Sequence, residues 1–248
     1  MMAGDPILRG RTPPDMRLYA VGDIHGRKDL LDKILDRVAA DAALSRAPRK
    51  LVVFLGDYID RGPESRAVIE TLAGGPPPGR DWAGFQWVTL AGNHEAMMLR
   101  FLEELDAAAW LSGSNGGLAT LESYIGQLPQ PSGLKTLQEA LLRALPAAHR
   151  QFLARLPPSH QEGGYFFVHA GVRPGIPLQH QQRQDMLWIR GEFLGSTADY
   201  GKVVVHGHTI TTHPEERPNR IGIDTGAFFT GRLTAMVAEG DWRGFIST

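Results

Sequence analysis

The chain has 248 residues, a formal net charge of −1 and no cysteine, with 42% hydrophobic and 21% charged residues. This is the composition of an ordinary folded protein, at a length that suits one domain with insertions or at most two. It offers no global basic field for nucleic acid or an anionic membrane, and neither a disulfide nor a thiolate metal site can form.

Residues 1–15, MMAGDPILRGRTPPD, lack the apolar core of a secretory signal. They read as a flexible leader before a single domain at 16–248. Arg17–Gly22 is the first predicted strand. Arg27–Leu44 carries Leu30, Leu31, Ile34, Leu35 and Val38 at helical spacing, and Leu51–Leu55 is a second strand. Strand, helix, strand in that order predicts a parallel crossover. Glu64–Leu72 reads as a shorter helix, Gly74–Gly79 as a surface loop and Phe85–Leu90 as a third strand. His94–Leu105 returns to helix, with Met97, Met98, Phe101 and Leu102 as core filler. Residues 106–160 read as helices and loops without a strand. One apolar stripe there runs from Leu134 to Leu145 and another from Phe152 to Leu156, and Ser112–Gly117 is a loop before a helix. From Tyr165 the chain is β-rich, with strands expected at Tyr165–Val168, Val203–His206, Arg220–Ile223 and Arg232–Ala238. Early βαβ units followed by a β-rich half fit two packed sheets with helices outside, although the pattern alone does not distinguish this from a doubly wound fold. No apolar stretch is long enough to span a bilayer, so a cytoplasmic location is the default expectation.

Five of these strands end alike. Leu18–Val21 runs into Gly22-Asp23-Ile24-His25-Gly26, and Leu51–Leu55 into Gly56-Asp57-Tyr58-Ile59-Asp60-Arg61-Gly62. Phe85–Leu90 leads to Gly92-Asn93-His94-Glu95, Tyr165–Val168 to His169-Ala170-Gly171, and Val203–Val205 to His206-Gly207-His208-Thr209. Carboxylate, imidazole and amide groups ligate borderline divalent metals, and glycine lets the backbone approach a charged centre. The carboxyl ends of strands are where α/β sheets bind ligands. One such loop could be a solvated turn; five point to a shared site.

Together, GDIHG, GDYIDRG, GNHE, HAG and HGHT, in this order across roughly residues 16–240, resemble the metal-dependent phosphoesterases of calcineurin-like fold. The spelling is most similar to the phosphoprotein phosphatase family with its phage and bacterial members. The resemblance implies a four-layer α-β-β-α sandwich of two mixed sheets, the metallo-dependent phosphatase fold, with a helical insertion at about 106–160. It also implies two divalent metal ions, with Asp23 and His25 on the first, Asp57 bridging both, and Asn93, His169 and His208 on the second. The nitrogen and oxygen ligand set suits Mn²⁺, taken as first choice, and also Fe or Zn. Ile210 stands where many related phosphoesterases carry one more histidine, a departure that fits the phosphoprotein phosphatase branch. His206 shares a strand face with His208 but does not match the family's ligand, and is expected to support or pack. His149, His160, His180 and His213 lie in polar contexts and are expected at the surface.

The chemistry implied is direct attack on phosphorus by a hydroxide shared between the two metals. Arg61, Arg190 and Asn93 would bind the substrate phosphate. His94 would protonate the leaving oxygen, with Asp60 holding and polarising it. The expected activity is that of a protein serine/threonine phosphatase, with phosphotyrosine as a further substrate, acting on a phosphoprotein or phosphopeptide and not on nucleic acid or membrane. One alternative is a symmetrical dinucleoside tetraphosphate hydrolase. Those enzymes tend to lack the second Asp of GDxxDRG and to read GNHD, whereas this chain keeps Asp60 and Glu95. The other is a non-catalytic binding scaffold, which predicts missing ligands; none is missing.

Overall fold

The computed structural model describes residues 10–128 and 133–248. Three βα units open the chain: β1 (Met16–Val21) and α1 (Lys28–Leu44), β2 (Arg49–Phe54) and α2 (Ser65–Gly74), β3 (Phe85–Thr89) and α3 (Asn93–Glu104). Three helices follow: α4 (Gly117–Ile125), α5 (Leu134–Ala144) and α6 (Ala147–Ala154). The second half holds β4 (Ser159–Glu162), β5 (Tyr165–Val168), α7 (Arg183–Trp188), α8 (Gly191–Leu194), β6 (Val203–His206), β7 (Glu215–Arg217), β8 (Arg220–Gly222), α9 (Ala227–Thr230), β9 (Thr234–Glu239) and β10 (Trp242–Ser247).

The strands form two mixed sheets of five, in the orders β10-β9-β1-β2-β3 and β4-β5-β6-β8-β7. In the first, β1-β2-β3 is parallel, with the antiparallel strands β9 and β10 added beside β1; in the second, β5-β6-β8 is parallel, with β4 and β7 antiparallel at its two edges. Central strands are covered on both faces, which is why they read as continuous apolar runs. Alternate residues divide between the faces. Leu18, Ala20, Leu51, Val53 and Met236 of the first sheet meet Tyr165, Phe167, Val205 and Ile221 of the second. On its outer face the first sheet packs Tyr19, Val21, Val52 and Phe54 against Leu31, Ile34 and Val38 of α1. The second covers Phe166, Val168 and Val204 with Met186 of α7 and Phe193 of α8. Helix, sheet, sheet, helix is the expected sandwich, and each fully buried Leu, Val or Phe contributes up to about 1.5–3 kcal/mol.

The structure departs from expectation at the edges. β4 begins at Ser159, inside the stretch read as strandless, while β7 and β10 fall where no strand was expected. His149, expected at the surface, is buried, with its ring between the Tyr124 hydroxyl at 2.9 Å and a Glu70 carboxylate oxygen at 2.7 Å. Of the expected leader, residues 1–9 lie outside the described residues. Gly10 O accepts the Tyr165 hydroxyl at 2.6 Å, and Thr12 N–H donates to Gly240 O at 3.0 Å. Among the described residues no helix is long and apolar enough to cross a membrane.

Candidate active site

The carboxyl ends of β1, β2 and β3 meet those of β5 and β6 along one end of the seam between the sheets. All five anticipated loops converge there, and their backbones are unusual. Five of the seven described non-glycine residues with left-handed φ lie in them: His25, Asp57, Asp60, Arg61 and His208. Such residues each cost about 1–3 kcal/mol and persist where surrounding contacts over-determine them. Close approach adds a second demand. A Cβ on Gly92 would collide with the Asp57 carboxylate, and one on Gly207 with that of Asp23. Any larger residue at either position would displace a buried carboxylate.

Asp57 is buried at the centre. Its Oδ2 lies 3.4 Å from His169 Nε2, 3.7 Å from His25 Nε2 and 3.8 Å from His94 Nε2. Burial alone would raise its pKa, but the four nearby imidazoles, His169 foremost, hold it below the usual carboxylate range. Backbone carbonyls fix two of the rings. His25 Nδ1–H donates to Ile59 O at 2.9 Å and His169 Nδ1–H to Leu55 O at 2.9 Å. The Nε2 of each therefore presents a lone pair inward.

Around His169 Nε2 stand Asn93 Oδ1 at 2.8 Å and His208 Nδ1 at 3.1 Å, and His208 Nε2 is buried without a partner. Lone pairs from carboxylate, amide and imidazole crowding one point, with a buried ring nitrogen unsatisfied, fit a divalent cation. Among the described residues, two clusters have ligand atoms mutually within 4.8 Å: Asp57, His169 and His208, and His25, Asp57 and His94. Asp57 belongs to both.

Asp23 belongs to neither cluster. His208 N–H donates to its two carboxylate oxygens at 3.2 and 3.1 Å. Its pKa is well above the ordinary value, because of burial first and then the nearby Asp224 and Asp57 carboxylates. Asp224 is a buried acid that the sequence reading did not single out; it accepts the Gly226 N–H at 2.9 Å, and its own pKa is raised by burial. The signal was present, since Ile221-Gly222-Ile223 runs into Asp224-Thr225-Gly226 in the same way as the five other strand ends. His206 also belongs to neither cluster; its ring packs edge-on against Phe193 at 5.0 Å.

Asp60 and His94 are both buried, with His94 Nδ1 2.6 Å from Asp60 Oδ2. Arg61 reaches over them, its Nη1 2.8 Å from His25 Nε2 and its Nη2 3.4 Å from His94 Nε2. The guanidinium stacks 4.5 Å from the ring centre of Phe228, another residue not anticipated. Arg190 approaches from the other sheet, donating through Nη1 to His208 O at 3.1 Å and Thr209 Oγ1 at 3.0 Å. Glu95, from the first turn of α3, takes the N–H groups of Asp57, Tyr58 and Gly92 at 3.0, 2.8 and 2.9 Å, locking the β2 and β3 loops together. A groove of about 400 Å³ lies between α3 and α7, lined by Met97, Arg100, Trp110, Leu187 and Trp188.

A two-sheet sandwich with carboxylates and imidazoles gathered at its strand ends defines a metallophosphoesterase. The chain matches the calcineurin-like phosphoesterases over residues 16–222 and belongs to that family. Serine/threonine-protein phosphatase 2 of Salmonella typhimurium is 30% identical over 227 residues, covering 88% of this chain and 90% of that protein. An asymmetrical bis(5'-nucleosyl)-tetraphosphatase of Halalkalibacterium halodurans is 23% identical over 240 residues, with 89% of each chain covered. In fold, the chain is similar to the cold-active protein-tyrosine phosphatase of a psychrophilic Shewanella species, with a TM-score of 0.55, 15% identity, and coverage of 99% of this chain and 85% of that one.

Proposed function

We propose that the protein is a phosphomonoesterase that releases phosphate from phosphoserine and phosphothreonine in proteins. The observation that carries this reading is the buried Asp60–His94 pair beside Arg61. A serine alkoxide is a strongly basic leaving group and needs a proton, and an imidazole held by a carboxylate can supply it. Asp23, His25, Asp57, Asn93, His169 and His208 would hold two divalent cations, Mn²⁺ being the first choice. Such cations, when bound, supply Lewis acidity toward phosphoryl oxygens and lower the pKa of water. Arg61 and Arg190, with the Asn93 amide, would bind the equatorial phosphoryl oxygens, for which guanidinium forks are suited. His94 would give its Nε2 proton to the leaving oxygen while its Nδ1–H stays on Asp60.

The similarity to serine/threonine-protein phosphatase 2 supports this substrate class. A second reading, hydrolysis of dinucleoside tetraphosphates, is favoured by the likeness to the Halalkalibacterium halodurans protein. Turnover of phosphoserine and phosphothreonine peptides against diadenosine tetraphosphate separates the two. A tenfold preference for the dinucleotide, about 1.4 kcal/mol in transition-state binding, would decide for the second.

The acid is tested through the leaving group. His94→Asn is expected to cut kcat on a phosphoserine peptide by about 10²–10⁴-fold. p-Nitrophenyl phosphate, whose phenolate departs unaided, should lose far less, with cation content unchanged. Equal losses on both substrates, or loss of a cation, would make His94 a ligand beside His25 and Asp57 instead.

A further inference from the structure

We infer that Trp110 and Thr120, on the segment between α3 and α5, are positioning residues that hold Asp60 against His94. The inference deepens the proposed reaction and rests on reading His94 as its acid. Asp60 is fully buried at a φ of 73°, and Arg61 follows at 66°. Two consecutive side-chain-bearing residues in the left-handed region need outside contacts to stay there. Those contacts come from far along the chain. The Trp110 indole N–H spans both Asp60 carboxylate oxygens at 2.9 and 3.1 Å, from 50 residues away. The Thr120 hydroxyl donates to Asp60 Oδ1 at 2.6 Å, from 60 residues away, and accepts the Asp60 backbone N–H at 2.9 Å. Gly116 O takes the Arg61 N–H at 3.3 Å, and a Cβ on Gly116 would stand 2.7 Å from that nitrogen.

A carboxylate has about four lone-pair directions. Thr120 takes Oδ1 and the Trp110 N–H is shared between both oxygens, so the carboxylate plane is fixed and a lone pair of Oδ2 is left for His94 Nδ1. Trp110 is itself wedged, its ring 5.1 Å from that of Phe101 and against the backbone of Gly117. Without these donors the carboxylate can rotate, and the imidazole loses the partner that orients it. A role confined to attaching the segment to the rest of the fold would affect every substrate alike, whereas positioning affects substrates whose leaving oxygen needs a proton.

Trp110→Phe keeps the ring and removes the N–H; Thr120→Val keeps the shape and removes the hydroxyl; Thr120→Ser keeps the hydroxyl. With the same added cation, Trp110→Phe and Thr120→Val should each lower kcat on a phosphoserine peptide by about tenfold, the loss of one hydrogen bond to a charged group. Turnover of p-nitrophenyl phosphate should stay within about twofold. KM should hold for both, and Thr120→Ser should behave as the parent protein. The second readout needs no turnover. The His94 Nδ1–H proton resonance, measured without added cation, should move upfield in Trp110→Phe and in Thr120→Val and stay in place in Thr120→Ser. The two variants are read separately, so loss of fold in one leaves the other decisive. Folded variants that keep both the proton resonance and the ratio of rates on the two substrates would overturn the assignment. His94→Asn separates this from the underlying reading. If it loses both substrates equally while Trp110→Phe still shifts the His94 proton, the acid is wrong and the positioning contacts stand. If it is selective and neither Trp110→Phe nor Thr120→Val is, the positioning role alone fails.

Discussion

Burial alone would depress the His94 pKa, but the Asp57 and Asp60 carboxylates raise it above the ordinary imidazole value. A histidine with a raised pKa keeps its proton below that pKa and loses it as pH rises through it, so acid catalysis should fade on the alkaline side. Asp60→Asn removes one raising partner. The alkaline limb of kcat on a phosphoserine peptide should therefore move to lower pH. Bound cations also set where the limb lies, so the difference between parent and variant under identical ions is the quantity to read; an unmoved limb would detach Asp60 from His94. The metal-site candidates were readable because each follows directly on an apolar strand. Trp110 and Thr120 were not, since their partner lies 50 and 60 residues away and neither stands in a recognisable block. Phe228 was equally hidden, because its stacking on Arg61 exists only once α9 has folded back over the β2 loop.

At the scale of elements, α3 does more than pack. Its first turn places Asn93, His94 and Glu95 side by side, and Glu95 reaches back to three N–H groups from two loops. Glu95→Gln would turn an amide NH₂ toward at least one of those donors, leaving it unsatisfied in a buried place. The expected cost is about 2 kcal/mol in urea unfolding, together with weaker cation binding as Asp57 is released. Stability within about 0.5 kcal/mol of the parent would show that the loops hold without it. Strands buried on both faces were legible as short apolar runs: Leu18–Val21, Leu51–Leu55, Tyr165–Val168 and Val203–Val205. β4 reads SHQE and β7 reads EER, polar sequences that form strands because each pairs with one inner neighbour through backbone hydrogen bonds. β10, WRGFIS, is likewise an outer strand, held by β9. His149 was misread for a related reason: its polar neighbours in sequence are not its neighbours in space, where Tyr124 and Glu70 enclose it.

Considered as a whole molecule, the candidate ligands are divided between the two sheets. Asp23, His25, Asp57 and Asn93 follow strands of the first sheet, while His169 and His208 follow strands of the second. Asp23 and His208, in direct contact, stand 185 residues apart in the chain. Such contacts join the two sheets and close long loops, so they are expected to form once the sheets have docked. A cation held by both sheets is therefore a clasp that closes last and must open before the sheets can part. Interactions absent from the folding transition state slow unfolding and leave folding almost untouched. Stopped-flow measurements should show Mn²⁺ steepening the barrier to unfolding, with the refolding rate nearly constant and the effect lost in Asp57→Asn. Faster refolding with an unchanged unfolding rate would mean the centre is already assembled at the transition state. The ions would then govern how long each molecule survives as well as what it catalyses, and cation depletion would expose the protein to proteolysis through a shortened lifetime of the folded state.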